Sequence, residues 1–151
     1  MSEKLMREAL IEAKKAFLEG EVPVGALVVK DGNIIAKAYN KVESLKDPTA
    51  HAEILALREA GIILNTPNLS GCELVVTLEP CAMCAGALIV AKITTLIFGA
   101  MNKNFGAVKT HTSLLDLDSF NHKVKVIPSV LEEETSQILS DFFEKMRNKN
   151  L

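Results

Sequence analysis

The order of apolar patterns along the 151 residues limits the possible folds more than any other sequence feature. An opening segment with helical apolar spacing precedes two β-rich runs, and helix-like and strand-like stretches alternate from there onward. Such alternation is typical of α/β proteins, in which helices pack on a sheet. The length suits one folding unit, and the sequence contains no repeat or linker. We therefore expect a single domain over residues 1–151.

The N-terminal part predicts a helix followed by a hairpin. Two β-rich runs, 26–29 and 34–38, flank Asp31-Gly32, a dipeptide that favours a tight turn between antiparallel strands. The preceding helix is expected to end near Gly20. Its apolar face is formed by residues three or four apart: Met6, Leu10, Ala13 and Phe17.

The later elements follow from caps and periodicity. Asp47 is expected to cap a second helix that has Pro48 in its first turn and starts near His51. Further strands are predicted at 74–77, 96–98 and 124–127, with a helix at 81–91 between the first two. A closing helix repeats apolar side chains every four residues: Ile138, Phe142 and Met146.

Composition excludes several classes of protein. A hydrophobic content of 48% with 24% charged residues is that of a soluble globular protein. The sequence has no signal peptide and no apolar run of membrane-spanning length, so we expect a cytoplasmic protein without membrane contact. A net charge of -2 argues against bulk electrostatic coating of nucleic acid, although a local basic patch remains compatible with RNA.

One imidazole and two thiols form the main chemical motif. His51-Ala-Glu53 precedes Pro80-Cys81-Ala-Met-Cys84 in the chain. Three protein ligands leave one position of a tetrahedral zinc for water, and that arrangement favours a catalytic over a structural site. Glu53, a carboxyl group outside the ligand set, suits the proton transfers that attack by a metal-activated water requires.

Helical geometry predicts how these groups approach the metal. Pro80 is expected in the first turn of its helix, which puts Cys81 and Cys84 on one face near the positive helix end, where thiolates are favoured. His51 and Glu53, however, would point about 200° apart on a regular helix. Our hypothesis is that the metal lies over the end of the helix, within reach of both.

Two other readings of the cysteines remain open at this point. A thioredoxin-like redox pair would leave His51 and Glu53 without a role. A noncatalytic zinc module would need Cys72 as a fourth ligand, although Cys72 lies outside the Cys-x-x-Cys pair and a free cysteine of this kind is usually a small buried hydrophobe.

The motif also matches the signature of zinc-dependent nucleobase deaminases. Four stretches closely resemble bacterial tRNA-specific adenosine deaminases: 21–26 (Glu-Val-Pro-Val-Gly-Ala), 47–53, 77–87 and 98–100. The resemblance spans nearly the whole chain. It implies a cytidine-deaminase-like three-layer α/β/α sandwich, with helices on both faces of a mixed sheet of about five strands.

The same resemblance implies function and partners. It implies a homodimer with one Zn²⁺ per subunit that converts the wobble adenosine to inosine in the anticodon loop of an arginine tRNA. The target base would leave the loop stack to enter a pocket, which costs less in an unpaired loop than in a duplex. The runner-up is a deaminase of free guanine or cytidine, because metal chemistry alone does not separate the two.

By family position, Asn40 would hydrogen-bond the flipped nucleoside, while Val24, Ala52 and Pro80 would line or cap the pocket. An asparagine after a strand is otherwise often a turn residue. Basic side chains that could contact phosphates, or simply be solvated, are Lys103, Lys109, His111, Lys145, Arg147 and Lys149.

Asn102 departs from the family pattern, since Met101-Asn102 replaces what is typically an Arg-Asp pair. A neutral amide changes hydrogen bonding and removes repulsion near a phosphate chain. We predict that Asn102 increases tolerance of deoxyadenosine in single-stranded loops. Asn102→Asp should then raise the ratio of rates on matched RNA and DNA hairpins, and an unchanged ratio would reject the idea.

Overall fold

Five strands form one mixed sheet with helices on both faces, which confirms the predicted three-layer α/β/α architecture. The computed structural model of the chain describes residues 1–149, so the last two residues of the predicted domain lie outside the described part. The elements are α1 (Ser2–Leu18), β1 (Gly25–Lys30), β2 (Asn33–Tyr39), α2 (Val42–Leu45), α3 (Ala52–Leu64), β3 (Cys72–Leu78), α4 (Ala82–Ala91), β4 (Thr95–Ala100), β5 (Lys125–Ile127) and α5 (Glu132–Lys149).

The strand order across the sheet is β2-β1-β3-β4-β5. β1 runs antiparallel to both β2 and β3, whereas β3, β4 and β5 are parallel. The predicted hairpin turn is present: Asp31 and Gly32 have φ angles of 51° and 79°, the positive values that a tight two-residue turn needs.

The sheet separates two apolar cores. Alternate residues of the central strands, among them Leu27, Val75 and Ile97, face α1. Their neighbours, such as Leu74 and Phe98, belong to the larger core beneath α3 and α4. α5 packs beside α1 on the first face. Among the described residues, no helix combines the length and apolar character that crossing a membrane requires.

The parallel pairing of β3 with β4 defines the edge at which the motif residues lie. Leu78 pairs with Ala100 at the ends of the two strands, and the Glu79 N–H donates to the Ala100 carbonyl at 2.8 Å. In α/β sheets, loops that leave the carboxyl ends of neighbouring parallel strands meet at one edge. The segments that follow Leu78 and Ala100 are therefore neighbours.

The predicted starts of α3 near His51 and of α4 at Cys81 are confirmed to within one residue, but the roles predicted for Asp47 and Pro80 at these starts are wrong. Asp47 does not cap α3, because its Oδ1 accepts from the N–H of Thr49 at 2.8 Å and from the Thr49 hydroxyl, closing a local turn instead. α3 begins at Ala52 with His51 as its N-cap, so Pro48 also lies outside its first turn. Pro80 does not lie in the first turn of α4, since Cys81 is the extended N-cap and the proline precedes the helix.

Candidate metal centre and active site

The N-termini of α3 and α4 bring the predicted ligands together. His51 is the N-cap of α3 (φ -76°, ψ 151°) and Cys81 is the N-cap of α4 (φ -75°, ψ 178°). Cys84 lies in the first turn of α4. Extended caps direct these side chains beyond the helix ends, so the 200° separation expected for a regular helix does not apply to His51 and Glu53.

The spacing of the three donor atoms fits a tetrahedral zinc ion. His51 Nδ1 lies 3.5 Å from Cys84 Sγ and 3.7 Å from Cys81 Sγ, and all three donor atoms fall within 4.8 Å of one another. Zn–S bonds of about 2.3 Å and Zn–N bonds of about 2.0 Å in a tetrahedron separate N and S by about 3.5 Å. The donor set therefore suits Zn²⁺ in both chemistry and size.

Hydrogen bonds within the cluster shift the pKa values of its three members. A hydrogen bond from Cys84 lowers the pKa of Cys81 to about 4, and the interaction with His51 contributes further. The same bond to Cys81, together with burial, raises the pKa of Cys84. The hydrogen bond between His51 and Cys81 raises the pKa of His51. A divalent cation at this place replaces such protons, because thiolates and neutral imidazole are its ligands.

Glu53 is adjacent to the cluster without being one of its members. It is the second residue of α3, its side chain is buried, and its carboxylate is absent from the group of donor atoms that could share an ion. Burial raises the pKa of Glu53, while the charge of His51 opposes the rise. A carboxyl group held beside the metal ligands in this way can exchange protons with a molecule bound there.

Asn40 reaches the same place from the end of β2. Its Oδ1 accepts from the Ala52 N–H at 2.8 Å, which caps α3, and its own N–H donates to the Val24 carbonyl at 3.1 Å. Asn40 is buried and does not have the positive φ of a turn residue. With Oδ1 used as an acceptor, Nδ2 is the group that can donate to a ligand.

The other predicted substrate contacts are distributed around this edge. Val24, Ala52 and Pro80 are buried beside the segments that carry Asn40 and Cys81, and their role as pocket walls stays a prediction. Asn102 lies in the loop after β4, where its Oδ1 accepts from the Phe105 N–H at 3.1 Å. Its side chain thus shapes the loop, and a contact with substrate remains a prediction.

The predicted phosphate-binding residues are exposed in two regions. One group lies in the loop after β4, beside the candidate site, and the other lies near the end of α5. The described members are Lys103, Lys109, His111, Lys145, Arg147 and Lys149. Lys145 also lies 5.3 Å above the centroid of the Phe17 ring.

Glu79 is a residue for which the sequence pattern predicted no role. It is buried, and it accepts hydrogen bonds from the loop after β4. Burial alone would raise its pKa, but hydrogen bonds from Thr110 and Lys109 outweigh that effect and hold the pKa of Glu79 below the usual value. Its position directly before Pro80-Cys81 was the available signal.

Comparison with known proteins identifies the family. Residues 1–147 match the model of the MafB19-like deaminases. A tRNA-specific adenosine deaminase of Aquifex aeolicus (strain VF5) is 55% identical over 97% of this chain and 96% of its own length. The corresponding protein of Bacillus subtilis (strain 168) is 46% identical over 97% and 91%. The chain belongs to the tRNA-specific adenosine deaminase family.

Solved structures agree with this assignment. A structure from a study of A-to-I editing by tRNA:A34 deaminases at the wobble position has a TM-score of 0.86 at 41% identity, over 89% of this chain and 97% of that one. A guanine deaminase from Nitrosomonas europaea has a TM-score of 0.80 at 26% identity, over 93% and 83%. This guanine deaminase, a member of the runner-up class, therefore shares the fold at lower sequence identity.

The structure also bears on the two other readings of the cysteines. Cys72 is fully buried at the start of β3 and is absent from the donor cluster, as expected for a small core hydrophobe. No fourth histidine, cysteine or acidic ligand joins the cluster within residues 1–149. A structural four-ligand zinc site is thus disfavoured, and a redox pair leaves the adjoining His51 unexplained.

The cap from Asn40 to α3 leads to a stability prediction. Asn40→Ala leaves the buried Ala52 N–H without its acceptor, so the free energy of unfolding should fall by about 1–2 kcal/mol. Asn33→Ala is the matched control, because Asn33 is exposed and should contribute less than about 0.5 kcal/mol. Urea titrations of both variants measure the difference, and equal midpoints would contradict the capping role.

Proposed function

We propose that the protein is a zinc-dependent hydrolase that converts adenosine to inosine at the wobble position of a tRNA anticodon loop. The observation that carries the proposal is the three-donor cluster of His51, Cys81 and Cys84 beside the nonligating Glu53, in a chain of the tRNA-specific adenosine deaminase family. We further propose that residues 1–151 form a single deaminase domain, with one zinc per subunit.

The protein's own groups divide the chemistry between them. When bound to His51, Cys81 and Cys84, zinc supplies Lewis-acid activation of a water molecule. Glu53 would carry both protons of the attacking water: one passes to N1 of the purine as oxygen bonds to C6, and the second passes to the C6 amine, which leaves as ammonia while a C6 carbonyl remains. Water adds and ammonia departs, and no redox partner is needed.

Substrate binding is assigned to the residues that surround the cluster. Asn40 Nδ2 donates to the flipped nucleoside, since Asn40 Oδ1 is committed to α3. Val24, Ala52 and Pro80 form the apolar walls. Asn102 contributes from the loop after β4, together with exposed basic side chains that contact the phosphates on either side of the target.

A test of Glu53 separates catalysis from metal binding. Glu53→Ala should retain about one zinc per chain and its fold, while kcat on tRNA falls by about 10²–10⁴-fold because the proton relay is lost. Glu59→Ala, on the exposed side of the same helix, is the matched control and should leave kcat unchanged. Inosine formation and zinc content are measured on the same samples. A Glu53→Ala protein with wild-type turnover would contradict the role.

The substrate class is tested with the purified protein and a panel of tRNA transcripts, free nucleosides and free bases. Inosine at the wobble position of an arginine tRNA is the expected product. Turnover of monomers alone would favour the free-base or nucleoside deaminase. No turnover with any substrate, in a protein that binds zinc, would favour a noncatalytic zinc or RNA-binding module.

Both tRNA and reduced thiols suit the cytoplasm, which we propose as the site of action.

We also propose that the protein is a homodimer. The outer faces of α3 and α4 line one groove whose apolar residues include Ile62 and Val90, each 81% exposed, together with Met83. Large exposed apolar patches mark interaction surfaces. A second copy of this chain is a suitable partner, because a symmetric dimer would cover the same apolar surface on both chains in one contact.

This surface predicts the oligomeric state. Wild type should sediment as two chains, and joint Ile62→Asp and Val90→Asp substitution should weaken association by about tenfold or more, because charges would be buried at the contact. Leu18→Asp is the control, since Leu18 is 84% exposed at the end of α1, away from the apolar surface. If the double variant sediments like wild type, the interface lies elsewhere.

A further inference from the structure

Glu79 holds the loop after β4 through both carboxylate oxygens. Its Oε2 accepts from the backbone N–H groups of Val108, Lys109 and Thr110 at 3.1, 2.8 and 2.9 Å. Its Oε1 accepts from the Asn102 N–H at 3.1 Å and from the Thr110 hydroxyl. Glu79 is only 1% exposed, and no ion pair within residues 1–149 involves it. Backbone dipoles therefore compensate this buried charge.

Gly106 brings the loop into direct contact with the carboxylate. A Cβ at position 106 would lie 2.5 Å from Cδ and 2.6 Å from Oε2 of Glu79. The next residue, Ala107, donates its N–H to the Pro80 carbonyl at 3.0 Å. Since Glu79 is fixed by its hydrogen bonds, it cannot move aside cheaply. The loop is thus attached to the segment that leads directly into the ligand Cys81.

The exposed side chains of this loop are of the types that commonly contact nucleic acid. Lys103 and Lys109 are exposed, and Phe105 is 72% exposed although it is a large apolar ring. Aromatic rings stack on unpaired bases, and lysines contact phosphates. A loop with these side chains beside the metal cluster is suited to an RNA segment whose target base has left the stack.

We propose that Glu79 is a positioning residue that holds loop 102–110 in its binding conformation, so that Lys103, Phe105 and Lys109 contact the RNA around the target adenosine. The inference rests on the proposed function. Glu79 does not touch substrate in this scheme. It removes the cost of ordering the loop on binding, which is the usual benefit of preorganisation.

Replacing the carboxylate should therefore affect binding more than chemistry. Glu79→Gln keeps one acceptor oxygen and replaces the other with an NH₂ group. That NH₂ group faces donors of the loop and cannot accept their hydrogen bonds. The KM for an anticodon hairpin should rise by about tenfold or more, while kcat changes less than about threefold. Glu73→Gln is the matched control: it lies at the other end of β3, is half-buried, and should leave KM unchanged.

Amide hydrogen exchange gives a readout that does not depend on activity. In Glu79→Gln the N–H groups of Asn102, Val108, Lys109 and Thr110 should exchange faster, while those of β4 keep their protection and zinc content stays at the wild-type value. Unchanged exchange of the four N–H groups would overturn the proposal. So would loss of zinc or of protection throughout β4 in a folded protein, because either result would show a general structural role.

Two further variants cover the case in which Glu79→Gln does not fold: a mild one at Thr110 and one at Gly106 that disturbs the same contact from the loop. Thr110→Val removes one hydrogen bond and Gly106→Ala adds a Cβ from the loop side, so each should raise KM with little change in kcat. Wild-type KM in both would overturn the proposal. If the wild-type protein forms no inosine in RNA, the proposed function fails, and the exchange measurement still tests the anchor. If it forms inosine and the variants match it, this inference alone fails.

Discussion

The parallel pairing of β3 with β4 is the constraint on which the candidate site depends. It brings residues 79–84 and the loop after Ala100 to one edge of the sheet, over which the N-termini of α3 and α4 also converge. Helix N-termini favour negative charge, and the thiolate of Cys81 is stabilised before any cation binds, whereas the hydrogen bond with Cys81 and burial raise the pKa of Cys84, whose proton a cation would replace. Two thiolates, a neutral imidazole and a divalent ion sum to zero charge, which makes a metal centre acceptable at a largely buried place.

Two buried glutamates at this edge show how environment divides similar side chains between different tasks. At Glu53 burial is the largest influence and raises the pKa, so this carboxyl group holds a proton at a higher pH than an exposed glutamate does. Glu79 is buried as well, yet hydrogen bonds from Thr110 and Lys109 outweigh the cost and keep it an anion. The first is suited to moving protons and the second to holding backbone, although both belong to the same site.

Patterns within short stretches of the sequence predicted those features of the fold that depend on interactions between nearby residues. Helical spacing located α1 and α5, the Asp31-Gly32 turn located the first hairpin, and the ligand types followed from the His-x-Glu and Cys-x-x-Cys spacing. The capping residue of α3 was predicted wrongly because Asp47 accepts within its own turn, while the acceptor at the start of α3 is Asn40, a residue that follows β2. No short sequence window contains that contact.

The loop contacts of Glu79 escaped prediction for the same reason, since its partners lie 23 to 31 residues further along the chain. A glutamate in a strand-to-helix connection is ordinarily solvated, and only the folded arrangement shows it buried against Gly106. The sequence pattern therefore predicted the three-donor cluster but not the residue that binds the loop beside it.

The way this loop is attached bears on how one fold can serve different substrates. The guanine deaminase from Nitrosomonas europaea shares the fold at 26% identity, so the architecture alone does not choose between RNA and a free base. Glu79 binds mainly backbone N–H groups, and these are present whatever side chains the loop carries. Residues such as Lys103 and Phe105 can therefore change without loss of the anchor, whereas Gly106 cannot acquire a side chain without displacing it. Substrate choice can then vary at the exposed loop positions while the three-donor cluster and Glu53 stay in place.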